Sequence, residues 1–220
     1  MCNLYRMEKS PDAIRRLFAE IQIPLTFPEG VPNFQPRDVR ISEKAPIVIF
    51  ERERGVAELV ERRWSWPGPG GKPIFNMRSD GREFSKDRCL VMADGFYEHT
   101  APADPGQKRK DCWLFQPPVG EVAIAGLMRS NPQVGEAFTL LTVPSGPDIE
   151  PYHPRGVALL TPPHWRAWLA FRDPLRRDPA AAARYGELKE QLAHEFSDDR
   201  DAYRARKGTF VKVALQHESP

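Results

Sequence analysis

The chain has 220 residues, of which 40% are hydrophobic, and its 32 basic and 30 acidic side chains leave a net charge of only +2. This length supports a packed core without disulfide bonds, and the balanced charge excludes binding of a polyanion by overall charge alone. Three widely spaced cysteines without a CxxC pair suggest neither a disulfide framework nor a structural zinc site. The sequence has no apolar run of about 18 residues and no signal-peptide pattern, so we expect a cytoplasmic protein without a membrane span. We expect no metal and no cofactor.

The first predicted element is a helix. Ser10 and Pro11 are typical of a helix start, and apolar residues spaced three to four apart continue the pattern to Ile21, before Pro24. Short apolar runs bounded by Pro, Gly or Asp then predict buried strands at 47–50, 89–93, 113–115, 122–127, 138–143 and 157–160. The expected fold class is α+β.

The pattern becomes helical towards the end of the chain. A cap at Thr161, followed by two prolines, predicts a short helix through Trp165 and Leu169. Two amphipathic runs after Phe171 predict a helical hairpin. We therefore expect a main domain over 1–170 and a helical tail over 171–220.

Three stretches between the strands combine polar side chains with tight turns. In the first, Asn76 and Arg78 follow Trp64 and a Gly/Pro loop, and such residues can hydrogen-bond a sugar or phosphate and stack on a base. An exposed surface turn fits the same spacing equally well.

The second stretch places Glu98 between aromatic residues after a predicted strand and turn. Partial burial there would suit its carboxyl group to proton transfer, although a solvated hairpin Glu fits the spacing as well. The neighbouring His99 would point to the opposite face of a strand, so we select Glu98 and not His99.

The third stretch places His153 and Arg155 around Pro154, at the start of a predicted strand. A histidine held between prolines can act as a general acid or base, and the arginine can contact an anion. Taken alone, a histidine without a catalytic role is the simpler interpretation of this pattern.

Cys2 is a fourth candidate because removal of Met1 would make it the N-terminal residue. It would then carry an α-amine and a thiol on neighbouring carbons, which no internal cysteine does. An ordinary thiol at a frayed terminus is the simpler interpretation of Cys2 alone.

Together these stretches resemble the SRAP family, the SOS-response-associated peptidases known as abasic-site processing proteins. The resemblance covers about residues 1–170 and is carried, in the family's order, by six stretches: Met1 and Cys2, 33–36, 63–64, 76–78, 93–98 and 153–156. It implies mostly β-strands in a barrel-like sheet with flanking helices. It also implies that single-stranded DNA containing abasic sites is the partner and that the protein acts as a monomer.

The resemblance further implies that the Cys2 amine attacks the aldehyde of the abasic site and that the thiol closes a thiazolidine ring, which makes a DNA–protein crosslink with associated lyase activity and self-reversal. Asn76 would orient the reacting end, Glu98 would transfer protons, and His153 would assist ring opening and reversal.

The DNA contacts implied by the resemblance are Arg78 and Arg155 on phosphates, Trp64 against a base, and the segment with Asn33 and Pro36. The chain departs from the family pattern at Ser65, where glycine is usual, and at His99, where a Trp often follows the Glu.

The tail resembles the C-terminal helices of the GrpB family, and an ordinary amphipathic hairpin remains an alternative. For the main domain, the alternative enzyme is an N-terminal-nucleophile cysteine hydrolase or self-processing peptidase, which would also use an exposed Cys2. Such an enzyme needs an oxyanion hole, and no Gly-rich turn clearly supplies one. A non-catalytic protein-binding module is the third alternative, for which Cys2 would be dispensable.

Overall fold

The computed structural model describes residues 2–104, 106–118 and 120–170. The predicted helical hairpin and its GrpB-like pattern lie outside these residues. The described helices and strands, in chain order, are β1 (Leu4–Met7), α1 (Pro11–Glu20), β2 (Leu25–Thr26), β3 (Arg37–Arg40), β4 (Lys44–Glu51), β5 (Val56–Trp64), β6 (Trp66–Pro67), a 3₁₀ turn (Pro69–Gly71), β7 (Pro73–Ile74), β8 (Asn76–Arg78), β9 (Arg88–Val91), β10 (Gly95–Thr100), β11 (Asp111–Phe115), β12 (Ala123–Asn131), β13 (Gly135–Pro144), β14 (Arg155–Val157), β15 (Leu159–Leu160) and α2 (Pro162–Ala170).

The first helix forms where its cap predicts it. The Ser10 side chain accepts a hydrogen bond from the Ala13 amide at 3.2 Å, and Pro11 occupies the first turn. Ile14 and Phe18 lie four residues apart and are fully buried, and the Phe18 ring packs on Trp165 with 5.3 Å between centroids. The helix therefore covers the core with one apolar face.

Five strands close into a barrel. β13, β12, β9, β4 and β5 are paired in this order, and β13 pairs back to β5, with Ala137 opposite Arg63 and Phe138 opposite Trp64. The closing pair is parallel, whereas the other four pairs of the ring are antiparallel. Closure removes the exposed edges that an open sheet would leave.

The barrel needs a residue without a side chain at one crossing. A Cβ atom on Gly126 would lie 2.9 Å from Cys89 Sγ and 3.0 Å from the Thr139 carbonyl oxygen. Glycine therefore allows β12 to approach its neighbours, and Cys89 serves as a small buried core residue.

A second sheet of four strands carries the N-terminal segment, in the order β11, β10, β1, β3. β1 lies in its middle, with Tyr5 opposite Phe96 on one side and opposite Val39 on the other. Side chains of both sheets contribute to one core cluster, which includes Cys2, Tyr5, Trp64 and Phe138.

These features confirm the predicted fold of mostly β-strands in a barrel with flanking helices. The predicted run 157–160 is divided between β14 and β15, while the predicted helix after Thr161 is α2. Of the described residues, 2–165 form one compact unit. In the described part of the chain, no helix is both long and apolar enough to cross a membrane.

Candidate active site

The N-terminal strand buries Cys2 beside Glu98. Cys2 precedes β1 and is only 1% exposed, and its thiol donates a hydrogen bond to the Leu4 carbonyl oxygen at 3.2 Å. β1 runs antiparallel to β10, and the carboxyl group of Glu98 on β10 lies close enough to act electrostatically on the thiol. Glu98 is itself 1% exposed.

Burial keeps the Cys2 thiol protonated near neutral pH. Desolvation raises its pKa from 9.0 to about 12, and the negative charge of Glu98 adds to the increase. Hydrogen bonding to the backbone at Leu4 and Tyr97 offsets part of the effect. This site differs from that of a thiolate nucleophile, whose environment lowers the thiol pKa.

Asn76 fixes the backbone of Cys2 from the barrel side. β8 pairs in parallel with β13, which places Asn76 opposite Leu140. The Asn76 Nδ2 group donates to the Cys2 carbonyl oxygen at 2.6 Å. Asn76 Oδ1 is buried and has no hydrogen-bond partner within the described residues. The amide therefore holds one end of the site and leaves an acceptor for an N–H or O–H group.

His153 is held by the loop between β13 and β14. Its carbonyl oxygen accepts a hydrogen bond from the Ser145 hydroxyl at 2.8 Å. Its Nδ1 atom lies 2.8 Å from the Arg155 carbonyl oxygen and 3.0 Å from the Arg155 amide nitrogen. Because these backbone groups occupy Nδ1, Nε2 is the ring nitrogen left to exchange a proton with a ligand.

Aromatic rings connect the His153 loop to the Glu98 strand. Tyr152 lies next to His153 in the chain, and its ring is 4.9 Å from the Trp113 ring. Trp113 on β11 is directly opposite Glu98 on β10. His99 is opposite Cys112 instead, on the other face of the sheet. The structure thus places Cys2 beside Asn76 and Glu98, and it connects the loop of His153 to the Glu98 strand through the Tyr152–Trp113 contact.

Arg155 is anchored within the protein. Its Nε donates to Thr142 Oγ1 at 3.2 Å, its Nη2 to the Thr142 carbonyl oxygen at 2.7 Å, and its Nη1 pairs with Asp80 at 2.7 Å. Arg78 is opposite Thr142 in the β8–β13 pairing and is exposed. Of these two arginines, Arg78 is the one that presents its side chain to solvent.

Trp64 requires a correction to the role expected of it. Its side chain is fully buried, its ring lies 5.1 Å from Tyr5, and its Nε1 donates to the Phe75 carbonyl oxygen at 2.9 Å. Stacking needs a free ring face, and the Trp64 ring packs against both Tyr5 and Phe75 within the core. Trp64 therefore supports the strand that carries Cys2 and does not offer a stacking surface.

Asn33 and Pro36 lie in the segment before β3. Both residues are exposed, and β3 continues from this segment to pair with β1. The segment therefore leads directly into the sheet that holds Cys2 and is open to a ligand.

A polar cluster on the outer face of this sheet could not be predicted from the sequence. Arg6 Nη2 donates to the Tyr97 hydroxyl at 2.5 Å, and the Tyr97 hydroxyl donates to Asp38 Oδ1 at 3.0 Å. Burial and the neighbouring Asp38 raise the pKa of Tyr97. The cluster ties β1 to β3 and β10. The cluster depends on the pairing of Arg6 with Asp38 across β1 and β3, and no local sequence pattern reveals that pairing.

In the described part of the chain, no group of three or more His, Cys, Asp or Glu side chains is arranged to hold a metal ion. The site contains hydrogen-bond donors, two side chains that can exchange protons, and a thiol near the N-terminus. They fit covalent chemistry on a polar, electrophilic ligand.

The comparisons with known proteins identify a family. A family model described as SOS response associated peptidase (SRAP) matches residues 1–196. No match to a curated protein was found.

Two solved structures from Bordetella bronchiseptica share the fold. One is 20% identical, covers 76% of this chain and 88% of its own, and has a TM-score of 0.58. The other, a phage-related protein, is 18% identical, covers 76% of this chain and 81% of its own, and has a TM-score of 0.56. At these identities the similarity concerns the fold alone.

Proposed function

The chain belongs to the SRAP family, the SOS response associated peptidases, and from this premise we propose that it forms a covalent crosslink to abasic sites in single-stranded DNA through Cys2. Membership associates the chain with the SOS response to DNA damage. The observation that carries the proposal is the burial of Cys2 beside Glu98 with its carbonyl group held by Asn76.

The reaction begins at the α-amine that removal of Met1 exposes. An α-amine with an ordinary pKa of about 8 is partly neutral at pH 7 and can attack the aldehyde carbon of the opened sugar. Loss of one water gives an imine. The Cys2 thiol then adds to the imine carbon, its proton passes to the nitrogen, and a five-membered thiazolidine ring results.

The raised thiol pKa supports this order of events. A thiol that stays protonated leaves the first attack to the amine. When the ring closes, the thiol proton is transferred to the imine nitrogen, directly or by way of Glu98, as the sulfur adds to the imine carbon. The alternative cysteine hydrolase would use the thiol as its first nucleophile, and burial beside a carboxylate disfavours the thiolate it needs. The site therefore fits aldehyde capture better than acyl transfer.

Asn76 and Glu98 have distinct parts in the proposal. The Asn76 amide fixes the Cys2 backbone through its 2.6 Å hydrogen bond, and Oδ1 can accept an N–H of the new amine. Glu98, which is buried next to the thiol, transfers protons as the aldehyde oxygen leaves as water. Both residues act where Cys2 reacts.

His153 handles the sugar and the reverse reaction. With Nδ1 on the Arg155 backbone, Nε2 can give a proton to the ring oxygen as the sugar opens, and it can promote reopening of the thiazolidine. In the associated lyase reaction, the imine makes the 2′ proton acidic, and removal of that proton expels the 3′ phosphate. The DNA backbone would lie against four residues: Arg78, Arg155, Asn33 and Pro36. Of these, Arg155 is held in place by its contacts with Thr142 and Asp80.

We place this activity in the cytoplasm, with the protein acting as a monomer and without a cofactor. The test is incubation with a single-stranded oligonucleotide containing one abasic site, followed by denaturing electrophoresis. We expect an adduct that survives denaturation, disappears in Cys2→Ala, and persists in Cys112→Ala, which removes the exposed cysteine. An oligonucleotide with a tetrahydrofuran spacer, which has no aldehyde, should give none.

A DNA adduct that persists in Cys2→Ala would identify a different nucleophile and contradict the proposal. Absence of any adduct from a protein whose mass shows an unblocked Cys2 would also contradict it.

A further inference from the structure

Trp113 is the exposed aromatic residue beside the site. Within the described residues, the large apolar side chains that are exposed are Val31, Trp113 and Leu159, with Trp113 at 41% and Leu159 at 42%. The Trp113 Nε1 group donates to the Thr100 hydroxyl at 2.9 Å. The indole is therefore exposed and yet held in one orientation, an arrangement that core packing does not require.

Ring contacts connect the Trp113 indole to the protein core. The Tyr152 ring lies 4.9 Å from Trp113 and 5.2 Å from Phe115, which it meets edge-on. Phe115 stacks on the buried Phe96 with 5.4 Å between centroids. The rings run from the core to the surface, so Trp113 and Tyr152 together present a firm surface, which we call the aromatic platform.

The aromatic platform adjoins two residues of the proposed reaction site. Trp113 is opposite Glu98 across the β10–β11 pair, and residues opposite each other in a sheet share one face. Tyr152 precedes His153 in the chain. Each ring of the aromatic platform is therefore next to a residue proposed to act on the abasic sugar.

The hairpin leading into β11 adds positive charge. Lys108, Arg109 and Lys110 are consecutive and exposed. The one acidic residue that follows, Asp111, accepts hydrogen bonds from the Ala103 amide at 2.8 Å and the Gln107 side chain at 3.0 Å. The run therefore presents its cationic side chains to solvent, next to the aromatic platform.

Basic side chains beside an oriented aromatic surface match the chemistry of single-stranded nucleic acid, in which bases stack on rings while phosphates contact Lys and Arg. We propose that the aromatic platform stacks an unpaired base adjacent to the abasic site, and that residues 108–110 contact the phosphates of the same strand. This inference rests on the proposed function, because the abasic sugar at Cys2 sets where the neighbouring base lies.

The platform takes over the stacking that Trp64 cannot provide. An abasic sugar carries no base, so a protein can hold it only through its backbone and the bases on either side. Stacking is also tolerant of sequence, since every base has an aromatic face. The protein would therefore capture abasic sites in any sequence context but would require at least one neighbouring base.

The test measures non-covalent binding in a Cys2→Ala background, which removes the crosslink. Two oligonucleotides are compared by fluorescence anisotropy: one with bases flanking a tetrahydrofuran site, and one in which tetrahydrofuran spacers replace those flanking bases as well. Adding Trp113→Ala should weaken binding to the first by about fivefold or more, as expected when one base stack is removed, and should change binding to the second little. Trp113→Phe, which keeps a ring, should retain most of the affinity.

Leu159→Ala is the matched control because it removes an apolar side chain of the same exposure. Equal binding by the Trp113→Ala and Leu159→Ala variants to the base-bearing oligonucleotide would overturn the inference. If Trp113→Ala does not fold, Trp113→Leu, which keeps an apolar side chain without a ring, takes its place: a loss confined to the base-bearing oligonucleotide supports the inference, and binding equal to that of Leu159→Ala would overturn it. Alanine substitution at 108–110 should reduce the slope of log affinity against log salt by about 0.7 for each phosphate that the variant no longer neutralises.

Failure of the inference is distinguishable from failure of the proposed function. A wild-type protein that crosslinks while binding is indifferent to Trp113 overturns the aromatic platform alone. A wild-type protein that shows Trp113-dependent binding but never crosslinks overturns the proposed chemistry and supports the platform as a single-stranded DNA contact.

Discussion

The hydrogen bond from Asn76 to Cys2 yields the sharpest prediction about the site. Asn76→Ala removes the donor that lies 2.6 Å from the Cys2 carbonyl oxygen, without adding bulk. A typical intramolecular hydrogen bond contributes about 0.5–1.5 kcal/mol net. If that energy positions the reacting end, the rate of crosslinking should fall by about two- to thirteenfold, since about 1.4 kcal/mol corresponds to a factor of ten.

Asn76→Asp should be slower still. The carboxylate keeps the shape of the amide but offers no donor, and its charge would face the Cys2 carbonyl oxygen. Leaving a buried polar group unpaired costs about 1–3 kcal/mol, which corresponds to a further decrease of about fivefold to more than a hundredfold. The order of rates should therefore be wild type, then Asn76→Ala, then Asn76→Asp.

The assay is the first-order rate of adduct formation with the abasic oligonucleotide in saturating excess, so that changes in affinity do not enter. Asn131→Ala serves as the control, because the Asn131 side chain also makes one hydrogen bond to the backbone, in which its Oδ1 accepts from the Gln133 amide at 2.9 Å at the end of β12. Equal rates for wild type, Asn76→Ala and Asn76→Asp would refute the positioning role of Asn76.

Three further predictions concern thiol reactivity, pH and backbone conformation. Alkylation of the native protein near pH 7.5 should label the exposed Cys112 well before Cys2 and Cys89, because burial raises the pKa of both buried thiols. Peptide mapping reads the labelling, and equal rates at the three cysteines would contradict the burial of Cys2. The Cys2 thiol pKa rises from 9.0 to about 12 on folding, so its contribution to the free energy of unfolding is complete below pH 9. Between pH 9 and pH 12 that contribution falls by about 1.4 kcal/mol per pH unit. In urea unfolding measured over this range, Cys2→Ser should therefore lose stability less steeply with pH, and a slope equal to that of the wild type would refute the pKa shift. Ser65 has a φ of +90°, where only glycine is unstrained, so Ser65→Gly should be more stable to heat than Ser65→Ala by about 1 kcal/mol, and the reverse order would count against the backbone conformation.

Local signals in the sequence were sufficient for the elements with strong patterns. Ser10 and Pro11 mark the start of α1, and the apolar runs around Ile47 and Ile124 lie in β4 and β12, because a cap and a continuous buried run are properties of neighbouring residues. The closure of the barrel has no such signal. Ala137 pairs with Arg63, and a register between distant segments depends on the whole fold.

The role of an aromatic residue was harder to predict than its position. Trp64 and Trp113 are the same residue type on strands, yet one is fully buried and the other 41% exposed. The sequence does not distinguish them, because burial depends on which strands pack above each ring. The stacking role predicted for Trp64 was therefore wrong. The buried strand predicted at 113–115 lies in the strand β11, but the prediction of burial was wrong for Trp113, whose ring is exposed.

The role of a charged residue such as Arg155 was equally hard to predict from the sequence. A cation between turns can bind a ligand or an internal carboxylate, and in the structure it binds Asp80 and Thr142. The pairing of Cys2 with Asn76 and Glu98 was expected from the family resemblance and not from spacing, since these residues come from β8, β10 and the segment before β1.

The central claim is that both the amine and the thiol of Cys2 bond to one carbon of the abasic sugar. The most direct measurement is tandem mass spectrometry of the adduct after digestion of the protein and DNA, without a reducing agent. We expect a peptide that begins at Cys2, carries the sugar remnant less one water, and has no primary amine or thiol left to alkylate. A remnant on a lysine, on Cys112, or on a peptide that still begins with Met1 would contradict it.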